Sequence, residues 1–170
     1  MLIELAQGQN SPVVEKTGKS CGRVDFFVTD GKLARIAGIQ VAKNGVVKKF
    51  YGLSYQDVEL FSRQAIVIES IEKLTTNLKN LDELFRQYGR LLGVTAKTES
   101  GKRIGAVIDA IIEAETGIII RLVIRNFLQE RIIPRQFLVS ITPKAIIFQD
   151  VVVEPVFDKI ATMQPVENNG

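Results

Sequence analysis

The chain has 170 residues, 46% of them hydrophobic and 24% charged, the balance of a folded globular protein rather than a disordered one. Its 22 Lys and Arg against 19 Asp and Glu leave a net charge of +3, too mild to point to nucleic acid without a dense basic patch. With no His, no Trp and one Cys, the sequence excludes Cys/His zinc sites, His-based acid–base catalysis, Ser–His or Cys–His nucleophile pairs and an intrachain disulfide.

The run from Met1 to Gly8 has neither a basic leader nor a long apolar core, so no signal peptide is expected there. No apolar run reaches the ~20 residues that a membrane span needs. A cytoplasmic location is expected, with Cys21 as a small buried hydrophobe. Ser20 to Val28 places Val24, Phe26 and Val28 at alternate positions, the period of a strand. The turn pair Asp30-Gly31 leads to a second strand, Leu33 to Val41. Asn44-Gly45 predicts a tight hairpin turn with a return strand over Val46 to Tyr51. Gln64 to Ile68 reads as another strand. From Asn80 to Tyr88 the pattern changes to a helix. Leu78, Leu81, Leu84, Phe85 and Tyr88 form one apolar face, Asn80 and Glu83 fit a capping box, and Gly89 ends the helix. Strands then resume at Val94 to Thr98, Ile104 to Ile112, Ile118 to Phe127, Arg131 to Ile133 and Ala145 to Val153.

The strand-rich segments repeat. Gly18-Lys19-Ser20-Cys21-Gly22-Arg23-Val24 matches Gly101-Lys102-Arg103-Ile104-Gly105-Ala106-Val107 at an offset of 83. Gly31 to Ile36 matches Gly117 to Leu122 at an offset of 86. Leu53 to Val58 and Gln64 to Ile68 match Ile133 to Leu138 and Lys144 to Phe148 at an offset of 80. Three matches in the same order argue for two copies of one unit.

The second copy, Gly101 to Asp109, then Gly117, then Arg131 to Leu138 with Pro134, then Lys144 to Phe148, resembles the PRC-barrel family. The first copy is looser, with Ser54 in place of the Pro and Phe26 in place of the Asp. The resemblance implies a mostly β fold: two small PRC-barrel-like barrels in tandem, with a short connecting helix. The expected organisation is a first barrel over residues 1–70, a linker with the helix over 71–91, a second barrel over 92–155 and a tail over 156–170. The resemblance also implies protein–protein adaptor work in place of catalysis. Ribosome association of the kind seen in maturation factors of this family is the alternative.

Thr17-Gly18-Lys19-Ser20 ends like a phosphate-binding loop, but Val13 stands where the first Gly is required and a strand follows instead of a helix. Asp109, Glu113 and Glu115 form an acidic group whose chemistry suits acid–base work or a hard cation, yet Glu113 and Glu115 fall in a turn, where carboxylates are usually solvated. Phe50, Tyr51, Tyr55 and Phe61 read as core or inter-barrel packing. The candidate partner-binding residues are Arg121, Arg125, Arg131 and Arg135. Arg121 and Arg125 share one face of their strand, and Arg131 is expected as a cross-strand neighbour. Such a face suits an acidic protein or the phosphates of RNA. No enzyme activity, cofactor or metal is expected. The triplets Ile118-Ile119-Ile120 and Val151-Val152-Val153 cannot point wholly inward, so Ile119 or Val152 is expected against the other barrel or a second copy in a homodimer.

Overall fold

In the computed structural model residues 1–153 are described, and the expected tail at 156–170 lies outside them. Alternating apolar residues and turn glycines produce two sheets on one plan. A short strand, β1 (Leu2–Glu4), comes first. The first sheet holds β2 (Pro12–Glu15), β3 (Ser20–Asp30), β4 (Arg35–Lys43), β5 (Lys49–Ser54), β6 (Val58–Phe61) and β7 (Ile66–Ile68). Its strand order is β5-β4-β3-β2-β7-β6. The chain then forms the helix α1 (Lys79–Tyr88). The second sheet holds β8 (Thr95–Thr98), β9 (Arg103–Glu113), β10 (Ile119–Arg125), β11 (Glu130–Pro134), β12 (Leu138–Ile141) and β13 (Ala145–Phe148). Its order, β11-β10-β9-β8-β13-β12, is the first order advanced by six, and β1 joins it alongside β9.

The copies agree in detail. The one parallel contact in each sheet is β2 with β7 and β8 with β13. A 3-10 turn links β5 to β6 at Tyr55–Asp57 and β11 to β12 at Arg135–Phe137. Gly22 has φ +139° and Gly105 has φ +158°. A Cβ at Gly105 would lie 2.4 Å from the Arg125 carbonyl oxygen, and one at Gly22 would lie 2.6 Å from that of Ala42. Both glycines therefore let two backbones cross closely, in a conformation closed to other residues.

Closed barrels do not form. The marginal strands β5 and β6 do not pair with each other, and neither do β11 and β12. The 3-10 turn between each pair redirects the chain instead of folding it back as a hairpin, so each ladder stays open. The tight Asn44-Gly45 turn is also absent. The last pair of that hairpin is Lys43 with Lys49, leaving a five-residue connection, and neither Asn44 nor Gly45 has positive φ. Helix α1 starts at Lys79, after an N-cap at Leu78 that makes no side-chain bond, and Asn77 Oδ1 accepts the Lys79 N–H at 3.1 Å. Asn80 is thus inside the helix. Gly89, at φ +69°, ends it, with its N–H bonded to the Phe85 carbonyl.

Helix α1 lies on the first sheet. Phe85 meets Phe26 with ring centroids 5.0 Å apart. Leu81 sits over Gly38 and Gly52, whose missing side chains leave it room.

The sheets meet about an approximate two-fold axis. Arg35 and Ile118 form an isolated antiparallel bridge, and the ladders match these two residues at an offset of 83, so the offset of 86 expected from Gly31 and Gly117 is corrected by three positions. The flanking bonds are matched as well: Ile36 N–H donates to Gly117 O at 2.8 Å and Ile119 N–H donates to Ala34 O at 3.0 Å. Such reciprocity is the signature of an isologous interface. Ile119 is fully buried at this junction, and Val152 is fully buried too. One hydrophobic cluster runs through both sheets, including Phe61, Ile119, Phe148 and Val152.

Candidate protein-docking face

Sheet register decides where the four arginines go, because cross-strand partners share a face. Arg121 lies opposite Pro134, Val123 opposite Ile132 and Arg125 opposite Glu130. Arg121, Val123 and Arg125 therefore form one stripe on the outer face of β10. Arg131 lies opposite Ile124, whose side chain is buried, so it leaves the sheet on the other side. With its amide oxygen turned toward Arg131, Gln129 accepts from the guanidinium at 2.7 Å. Arg135 belongs to the junction: its Nη2 donates to Leu33 O at 2.8 Å and its Nη1 to Ala34 O at 3.4 Å. Tyr55, the repeat counterpart of Arg135, also reaches across the junction, donating its hydroxyl to Ala114 O at 2.8 Å. Burial, with the charge of Glu113 second, raises the Tyr55 pKa.

Two of the four arginines thus share the face. Arg125 Nη2 and Nε both bond Glu130 Oε2, at 2.7 and 3.1 Å. Arg121 Nε is buried and has no hydrogen-bond partner among the described residues. The face forms an open groove whose edge receives Leu2 and Glu4 from β1 and Arg63 from the β6–β7 turn. Three bases, Arg63, Arg121 and Arg125, face three acids, Glu4, Asp109 and Glu130. The apolar floor comes from Val123 and Ile132. Beside it the β10–β11 loop carries Phe127 and Leu128, 96% and 78% exposed. Asn126 Oδ1 shapes this loop by accepting the Leu128 and Gln129 N–H groups at 2.8 and 3.0 Å.

The acidic group does structural work. Asp109 Oδ1 accepts the Ala6 N–H at 2.9 Å and its own neighbour Ala110 N–H at 2.7 Å. Burial raises the Asp109 pKa against the lowering effect of these bonds. Glu113 holds the N-terminal ammonium at 3.1 Å and accepts from Thr116 N–H and Oγ1 at 3.0 Å each. The ammonium first, then Thr116, lowers its pKa. Both carboxylates fasten the N-terminal segment or the β9–β10 turn. Among the described residues no three His, Cys, Asp or Glu side chains gather as a metal site. Cys21 is buried, and that burial raises its thiol pKa. Gly18 occupies a turn that opens directly into β3, without the helix a phosphate loop requires.

The aromatic group divides. Tyr55 and Phe61 are buried, Tyr51 is half-buried, and Phe50 is exposed. Among the described residues no helix is long and apolar enough to cross a membrane. No family model matches the chain, and no curated protein matches it. The exposed Phe127-Leu128 apex was not legible in the sequence: the strand expected over Ile118 to Phe127 ends at Arg125, and both residues fall in the loop beyond it.

Proposed function

We propose that this protein is a non-catalytic cytoplasmic scaffold that takes a protein partner on the outer face of β9–β11, and that its two sheets are tandem PRC-barrel-like units. The observation that carries the reading is the apolar apex Phe127-Leu128 beside a groove of balanced charge. About 25 cal/mol is gained per Å² of apolar surface removed from water, so two exposed large side chains at one loop favour a covering partner. The three-to-three charge balance supports a protein over RNA, because it supplies no net positive field for a phosphate backbone. Arg125 is already paired and Arg135 is committed to the junction, which weakens the ribosome reading further.

The test is quantitative co-precipitation with the intact chain, comparing wild type with Phe127→Ser/Leu128→Ser. A discrete set of proteins retained by wild type and lost from the variant is expected. Equal recovery by both overturns the reading. Loss of the set on ribonuclease treatment, with co-sedimentation on ribosomal particles, replaces it with the RNA alternative. Light scattering separates out the homodimer: a mass near twice 18.9 kDa that falls to one chain in the variant would make the partner a second copy.

A further inference from the structure

The β4–β5 hairpin ends in a basic finger with an apolar apex. From Lys43 to Phe50 every residue is exposed, with Val46 at 108% and Val47 at 70%. The stretch carries Lys43, Lys48 and Lys49 and no acidic residue. None of these lysines joins an ion pair among the described residues. The register layers the finger. Lys43 pairs with Lys49 at the last rung, and the valines project beyond that rung in the loop.

From this arrangement we infer that the hairpin docks on an anionic lipid bilayer. An ammonium pair set one level behind an aliphatic apex matches the depth order of a membrane surface, with charged headgroups outside and the acyl boundary beneath. Nucleic acid fits less well. Lys48 Nζ lies over the Phe50 ring, 5.3 Å from its centroid, which covers a face that a base would need for stacking. The aliphatic apex gains nothing from phosphates. The finger ends β4, and the proposed protein face lies on β9–β11 of the other sheet, so this inference stands apart from the docking reading.

The experiment is co-sedimentation of the intact protein with vesicles at low salt, of phosphatidylcholine alone or with about one-third phosphatidylserine. Binding is expected only to the anionic vesicles. Each lysine beside such a surface is worth about a factor of five, so Lys43→Glu/Lys48→Glu/Lys49→Glu should lower binding about a hundredfold or more. Val46→Asp/Val47→Asp should weaken it severalfold while the thermal melt stays that of wild type. No binding to anionic vesicles overturns the inference, as does equal binding to neutral ones. So does binding to a polyuridine probe that the valine variant leaves unchanged, with no vesicle binding. Phe127→Ser/Leu128→Ser should bind vesicles as wild type does, which keeps failure of this inference distinct from failure of the protein-partner reading.

Discussion

At position 26 the first sheet presents Phe, and at the matching position 109 the second presents Asp. The two side chains meet different covers: Phe26 packs on Phe85 of α1, whereas Asp109 receives the Ala6 N–H of the N-terminal segment. The neighbouring positions follow suit. Gly38 pairs with Val28 as Arg121 pairs with Ile111, and Gly52 pairs with Gln40 as Ile132 pairs with Val123. Where the first sheet carries two glycines beneath Leu81, the second carries Arg121 and Ile132. Hydrogen-bond ladders set the plan that both copies share, while side-chain volume on one face decides whether a helix can lie there. The first face is filled by the chain itself; the second remains a surface.

The largest effects are expected at the junction, where both copies must agree. Gly117 has φ +73°, and a Cβ there would lie 2.8 Å from the Ile36 carbonyl oxygen and 3.0 Å from the Tyr55 ring. Gly117→Val should cost roughly 3 kcal/mol or more, from left-handed backbone strain added to overpacking. Its counterpart Ala34 holds φ +47°. Ala34→Gly should therefore be neutral or gain up to about 1 kcal/mol. Urea unfolding measures both, and equal losses in the two variants would remove the idea of matched positions under unequal strain.

A smaller effect tests the covered and open faces. A Cβ at Gly38 would lie 2.6 Å from Leu81 Cδ2 and 2.8 Å from the Leu53 carbonyl oxygen. Gly38→Ala should cost about 1–3 kcal/mol by displacing α1. Arg121→Ala, at the matching open position, should stay within about 0.5 kcal/mol. A large loss at Arg121 would mean that its side chain holds the fold together and that its face is not free for a partner.

The smallest effects are titrations. Glu113 has a lowered pKa, so its contribution is full above the ordinary Glu range and fades as pH falls through the lowered value. Glu113→Gln should melt below wild type at neutral pH and converge with it in acid. Asp109 has a raised pKa, so its ionised form opposes folding above that value and the cost is relieved as pH falls. Asp109→Asn keeps an acceptor for the Ala6 N–H and should melt slightly above wild type at neutral pH, again converging in acid. Opposite signs at two carboxylates four positions apart on one strand are what melting curves across pH must show.

Much of this architecture was legible in the residues. Alternation marked β3, β9 and β10, the offset of 83 paired Gly22 with Gly105, and the apolar spacing of Leu81, Phe85 and Tyr88 marked α1. Short strands were not legible: β1 has three residues, too few for a period, and its partner β9 is more than a hundred positions away. Arg131 was misplaced for a related reason. Alternation along β10 fixes the face of Arg121 and Arg125, but the side chosen by Arg131 depends on how many residues the β10–β11 loop contains. Asn126 to Gln129 form that loop, so Arg125 meets Glu130 and Arg131 turns away. The role of Arg135 required the junction, which no local pattern encodes.

The bridge between Arg35 and Ile118 has a consequence for assembly. A patch that meets its own counterpart about a two-fold axis is nearly self-complementary, so each half is also a potential partner for the same half of another molecule. The covalent connection through α1 resolves that competition. A short tether holds the two halves at an effective concentration in the millimolar range, on the order of a thousand times above that of an ordinary cellular protein. Pairing within one molecule thereby outcompetes exchange between molecules, and the connection acts as a kinetic and thermodynamic guard against swapped polymers.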